Sequence, residues 1–239
     1  MRRLVALSGL VLLGSTLWAS PAAASSYLIK PDAGRAYPDI AADINGTVNY
    51  TYNAATSTGN FHVTNTPYLI AGGPTSAEEW AITPTESGLR QQAINLNLDS
   101  TGKLIDGPSN TYTMYGTITT DEGTFTGLLL SGTPTAFGYQ DLDTVGVKGT
   151  DLFDLTVAIT GGALAKYFGT EAYIRLMPEL KSTFTGSFSE NFSAEKATSN
   201  TRSYVSPQPF PVPEPGTILV LALGGLGVIG RHRLRRLAR

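Results

Sequence analysis

The chain has 239 residues, with 17 Lys and Arg against 19 Asp and Glu, and no cysteine. The missing cysteines exclude disulfides, thiolate nucleophiles, iron–sulfur clusters and Cys-ligated zinc together. The formal charge of −2 hides a segregation, because Arg231, Arg233, Arg235, Arg236 and Arg239 crowd the terminus while residues 25–210 hold 10 basic against 18 acidic residues, a net of −8. A body so charged, with no basic stripe interleaved with aromatics, repels phosphate backbones and excludes nucleic acid as a partner.

The first 24 residues read as a signal peptide. Arg2 and Arg3 form a positive start, Leu4 to Trp18 is apolar all round, and Ala22 and Ala24 are the small residues of a cleavage site. Residues 25–196 read as one β-rich extracellular domain. The 28 threonines of residues 25–210, with the aromatics, favour pleated surfaces. Period-2 alternation marks strands at Gly46 to Tyr52 and Ala93 to Asp99, and a hairpin at Tyr112 to Thr119 and Thr124 to Leu130 around Asp121-Glu122-Gly123. Further strands are expected at Leu152 to Thr160, Ala172 to Leu176 and Ser182 to Phe192, the last because Phe184, Phe188 and Phe192 share a parity. Helix is expected only at Ser76 to Trp80, from a capping serine with Glu79 three residues on, and in a turn or two between Gly162 and Phe168. Many short strands without intervening helical periods predict an all-β fold, a single mostly antiparallel sandwich or distorted barrel. Residues 197–211, rich in Ser and Pro, read as a linker.

Candidate chemistry in the body is sparse. His62 is its one imidazole, and Asn60-Phe61-His62-Val63-Thr64 places it on the strand face opposite Phe61 and Val63, as an ordinary outward residue and not a triad base. No nucleophile elbow, His-Glu-x-x-His helix or phosphate loop occurs. A glycosidase would need two carboxylates, and the sequence offers Glu78, Glu79, Glu86 or Glu171 without any means of pairing them. No cofactor is expected beyond Ca²⁺. For that ion Asp141 and Asp143 are the candidate ligands, with Asp151 and Asp154 as further oxygen donors and a solvated acidic loop as the alternative.

The tail, residues 212–239, is the most specific feature. Val212-Pro213-Glu214-Pro215-Gly216 leads into Thr217 to Gly230, which has no charge, and then into Arg231-His232-Arg233-Leu234-Arg235-Arg236. The prolines hold Glu214 in extended chain. As a helix, the 14 residues 217–230 rise about 21 Å, short of the roughly 30 Å hydrocarbon core, so this transmembrane segment suits a transient stop better than a permanent anchor.

These three parts in this order resemble the PEP-CTERM sorting signal of Gram-negative exosortase substrates. The resemblance implies a sorting motif at Pro213, Glu214, Pro215 and Gly216, an exosortase-like membrane protease as partner, and a transient inner-membrane stage. It also implies delivery to the cell envelope, outer surface or medium, where such proteins are associated with extracellular polysaccharide or biofilm. It covers the tail alone. For the body, two functions are weighed. One is a non-enzymatic cell-surface or matrix protein. The alternative is a carbohydrate-binding module using Tyr112, Tyr115, Tyr139, Tyr167 or Tyr173 as an aromatic platform.

Cleavage after Ala24 makes Ser25-Ser26-Tyr27 the expected start of the exported protein. N-terminal sequencing checks this, and retention of Met1 contradicts it.

Overall fold

The computed structural model describes residues 37–42, 45–73, 78–120, 122–141 and 151–203. Strands make up 64% of them and helix 3%. In chain order they are β1 (Asp39–Ala42), β2 (Thr47–Asn53), β3 (Thr58–Asn65), β4 (Pro67–Ala71), β5 (Glu79–Ala81), β6 (Gln91–Asp99), β7 (Thr111–Thr120), β8 (Gly123–Gln140), β9 (Leu152–Gly161), α1 (Ala165–Phe168), β10 (Glu171–Leu180) and β11 (Phe192–Ser203). The expected all-β, antiparallel class is what the chain adopts.

The strands form one sheet in the order β10-β9-β8-β7-β6-β3-β2-β11-β1-β4-β5, and β10 also pairs with β11. Eight strands therefore close into a ring, with β1, β4 and β5 branching from β11. The branch is tied back by mutual backbone hydrogen bonds of 2.8 and 2.7 Å between Thr83 and Thr117 of β7. β11 makes the closure by using both of its edges. One edge follows β10 from Ala172 opposite Ser203 to Leu180 opposite Glu195; the other pairs with β2 through Phe192 to Glu195 and then with β1 through Ser199 to Arg202. Where the partner changes, Lys196 takes a left-handed backbone (φ 54°). The buried positions shift across it from Phe192 and Ala194 to Ala197, Ser199 and Thr201. Gly46 makes this junction possible, since a Cβ there would lie 2.3 Å from the carbonyl oxygen of Ala197 and 2.6 Å from Cβ of Asn65.

Alternation decides which side chains enter the ring. In β3 Phe61 and Val63 are buried and His62 points outward; in β6 Ile94, Leu96 and Leu98 are buried between outward Asn95 and Asn97. One end of the ring is filled by aromatic rings. Tyr50, Phe61, Phe137, Tyr139, Phe153, Phe184, Phe188 and Phe192 form a continuous cluster with centroid separations from 4.7 Å (Phe184 to Phe192) to 6.4 Å (Phe137 to Tyr139). Edge-on contacts dominate around Phe188, the geometry favoured by the ring quadrupole. The Tyr50 hydroxyl donates to the carbonyl oxygen of Phe188 at 2.9 Å, and burial, with help from Tyr52 and Asp99, pushes it up to about 12, so it stays a donor. Gly102, at φ 82°, closes over the cluster, where a Cβ would lie 2.7 Å from the Phe188 ring.

Three expectations are corrected. Residues 182–191 are not a strand: Gly186 has φ 77°, and the Ser182 and Ser187 hydroxyls accept from the amides of Phe184 and Ser189, local bonds that compete with a sheet ladder. Phe184 and Phe188 share a parity because both plug the ring. The supposed linker begins too early, because 197–203 belong to β11, with Ala197, Ser199 and Thr201 buried. Finally, Glu79 to Ala81 pair with β4 as β5, where Trp80 packs on the core; sheet pairing overrides the capping signal, and Ser76 and Ala77 lie outside the described residues. The turn before Gly169 forms as expected, as α1.

Truncating Phe188 to alanine is expected to cost ~3–5 kcal/mol, as for other buried aromatics. Tyr50→Phe, which loses one buried hydrogen bond, is expected to cost ~1 kcal/mol. Urea denaturation of the exported protein measures both. A loss below about 1 kcal/mol for Phe188→Ala would mean the plug does not hold the ring.

Candidate functional site

Several residues singled out by sequence turn out to be structural. Tyr112, Tyr139, Tyr167 and Tyr173 are between 0% and 2% exposed, so they cannot form a platform for a sugar ring. Their hydroxyls serve the fold: Tyr112 donates to Thr201 Oγ1 and Tyr139 to the carbonyl of Thr101, both at 3.4 Å, and Tyr167 donates to Glu122. Of the five, only Tyr115 is partly exposed, on the outer side of β7.

The acids separate in the same way. Asp154 is fully buried and grips Arg175 with both oxygens, accepting from Nε at 2.9 Å and Nη2 at 2.8 Å, which leaves it no freedom to turn toward a cation. Asp151, also fully buried, accepts from the Ser182 hydroxyl. Asp141 is half-buried at the end of β8, beside Gly186, and Asp143 lies outside the described residues. Among the described residues no three His, Asp or Glu come together as a metal-binding group. Glu79, Glu86 and Glu171 are exposed on β5, in the connection to β6 and at the start of β10. Pro213, Glu214, Pro215, Gly216 and the segment 217–230 lie outside the described residues. Among those described, no helix is long and apolar enough to cross a membrane.

A different arrangement emerges on the outer side of β2, β3, β6 and β7. The register sets Asn49, His62, Asn95 and Thr111 in one row across the four strands, and Thr51, Asn60 and Asn97 in the next. Both rows are wired. His62 Nδ1 lies 2.7 Å from Asn95 Oδ1, and Asn95 Nδ2 donates to Thr111 Oγ1 at 3.2 Å. Because an amide oxygen only accepts, Nδ1 carries the proton, and in the neutral imidazole Nε2 is left as an acceptor. In the second row Asn60 Nδ2 donates to Asn97 Oδ1 at 3.4 Å, and Asn97 Nδ2 donates to Ser109 Oγ at 2.6 Å. Every bond in both rows runs in one direction, from β3 across β6, so each polarises the next. No Asp, Glu, Lys or Arg points outward in this patch between Thr47 and Asn97, although the body as a whole is acidic.

The patch is bounded by charges held elsewhere. Asp99 closes β6, its Oδ1 accepting from the amides of Thr101 at 2.8 Å and Lys103 at 3.0 Å and from the Thr101 hydroxyl at 2.6 Å. Slight burial pushes this carboxyl up, but the bonds from Thr101 and Lys103 outweigh it and hold it below the usual range. On β11, Glu195 pairs with Lys181 at 2.8 Å. At the far end of the β7–β8 hairpin, hydrogen bonds from Tyr167 and then Lys166 hold Glu122 low.

Sequence reasoning placed His62 on the right face and missed its partners. The signal was present in Asn95-Leu96-Asn97-Leu98, where amides occupy both outward positions beside apolar inward ones. What could not be read was that β3 and β7 would flank this strand.

Residues 211–236 match the PEP-CTERM protein-sorting motif. The tail resemblance is thereby shown, and it marks the protein for export and for the cell envelope or surface. No curated protein and no solved structure is significantly similar to the chain.

The depressed Asp99 carboxyl contributes stability that is present above its unfolded-state value and lost as pH falls through its folded-state value. Asp99→Asn should therefore be less stable than the wild type at neutral pH, with the gap narrowing as pH falls through the carboxylate range. Thermal melts from pH 7 to pH 3 measure the gap, and one that stays constant contradicts the assignment.

Proposed function

We propose that the protein is a non-enzymatic component of the cell surface or extracellular matrix, delivered by its tail and acting through the outer surface of its β ring. The match of residues 211–236 to the sorting motif carries this reading. The body adds support. Its buried acids Asp154, Asp151 and Asp39 are engaged with Arg175, Ser182 and Asn200, its Tyr112, Tyr139, Tyr167 and Tyr173 rings are buried, and its one histidine is wired into an outward amide row.

In this reading Pro213, Glu214 and Pro215 are presented in extended chain to an exosortase-like membrane protease. Residues 217–230, about 21 Å long as a helix, halt briefly in the inner membrane with the terminal arginines on its cytoplasmic side. Cleavage near the motif then frees the body. The hydrogen-bonded amide rows favour a carbohydrate-binding role as the second reading, on residues other than the buried tyrosines.

Replacing Pro213, Glu214 and Pro215 together by alanine should leave export intact and trap a full-length species at the inner membrane, whereas the wild type should lose Thr217 to Arg239. Fractionation with intact mass, in a host containing the protease, reads both. Wild-type protein retained at the inner membrane with its tail attached would make the tail a plain anchor. Incubating the purified mature protein with its host's extracellular polymer should release no new reducing ends; their release would overturn the non-enzymatic reading.

A further inference from the structure

We propose that the outer face of β2, β3, β6 and β7 is a binding surface for a neutral polysaccharide, one without carboxylate, sulfate or phosphate groups. The inference rests on the surface-component reading and gives that component a ligand class.

The face selects its partner by what it presents. With no Lys or Arg, it cannot hold a polyanion, and the −8 body around it repels one. A protein partner is equally poorly served, because the cores of protein interfaces are built from aromatic and aliphatic anchors, and here Tyr115 is the single large ring on the outward positions. What the face does offer is uncharged donors and acceptors in alternation. His62 Nε2 and Asn60 Oδ1 are the acceptors where the bonded chains begin on β3, with Asn49 and Thr51 opposite them on β2. Thr111 and Ser109 stand at the other end, each having accepted from an amide and retaining its own proton to donate. Carboxylates and phosphates only accept, and ammonium groups only donate. A sugar hydroxyl does both, so a run of hydroxyls satisfies both ends of each bonded chain.

Two physical features make the array more than a wet surface. The side chains are already fixed by the lateral bonds His62 to Asn95 to Thr111 and Asn60 to Asn97 to Ser109, so little rotamer freedom remains to be lost on binding. Their common direction also strengthens the terminal groups that a ligand would meet. The dimensions suit a polymer, since four strands span about 14 Å and successive rows lie about 7 Å apart.

The test is native affinity electrophoresis of the mature protein, purified from its host's surface, in gels containing hydroxyethylcellulose, dextran or galactomannan, with alginate as the polyanion. At least one neutral polymer is expected to retard the wild type, and alginate is not. Asn95→Ala, which breaks the first row at its centre, is expected to weaken retardation at least tenfold. Asn49→Asp, an exposed change that should leave the fold intact while placing a charge on the face, is expected to do the same, and Glu86→Gln in a distant exposed loop should have no effect. Four results would overturn the proposal: no retardation by any of the three neutral polymers, equal retardation by alginate, both face variants binding like the wild type, or self-association abolished by those variants, which would assign the face to a second copy of the chain. Failure to bind would leave the surface-component reading standing, since localisation and reducing-end assays test it separately.

Discussion

The double pairing of β11 is the constraint on which the architecture depends. Its Phe192 to Ser203 backbone has a neighbour on each side, β10 along one edge and first β2, then β1 along the other. A sheet of this length without that closure would leave long edges open to pairing with other chains. It is also the last strand in sequence, so the ring forms only through contacts more than a hundred residues apart, such as Tyr50 opposite Phe192. A fold dominated by such contacts assembles slowly, because loop closure must precede the reward. In a chain without cysteine no disulfide shares this task, and the left-handed Lys196 and the close approach allowed by Gly46 are the local adjustments that let one strand serve two neighbours.

The aromatic plug and the outer amide rows are two expressions of one register. Phe61 enters the plug because His62 does not, and Leu96 enters the core because Asn95 and Asn97 face out. A one-residue slip of β3 against β6 would bury the amides and expose the apolar side chains. The core therefore fixes the outer face, and each hydrogen bond across the rows rewards the same alignment. This coupling explains how the surface can be ordered without charge or aromatic anchors of its own.

Legibility followed the range of the interaction. Strands β2 and β6, the β7–β8 hairpin and the turn at α1 were readable because period-2 alternation and glycine-marked turns are local signals. The tail was readable because its three parts stand next to one another in sequence, in the order that carries the resemblance. The aromatic segment 182–191 was misread, since parity cannot separate a strand from a loop that sends every fourth residue inward. The second half of the final strand, from Ala197, was mistaken for a linker because Ser199, Asn200 and Thr201 look like tether residues until β1 and β10 flank them. Tyr112, Tyr139, Tyr167 and Tyr173 invited a surface role, but all four rings are buried, and the hydroxyls of Tyr112, Tyr139 and Tyr167 find internal partners. The site itself needed strands from separate parts of the chain to be set side by side, which no single window of sequence contains.

The position of Ser203 has a mechanical consequence. β11 runs from Phe192 in the plug to Ser203 at the opposite end of the ring, beside Asp39, and Ser203 is its last residue before the tail in sequence. A load applied at Ser203 along the strand, while the outer face is held, would pull β11 lengthwise between β10, β2 and β1. Antiparallel hydrogen bonds lie across the strand, so such a load shears all of them at once instead of peeling them one by one. A bond array loaded in parallel yields only when many bonds fail together, and under force it is the unfolding rate that limits lifetime. The strand that closes the ring is thus also the one that would carry tension wherever the body is pulled from its C-terminal end.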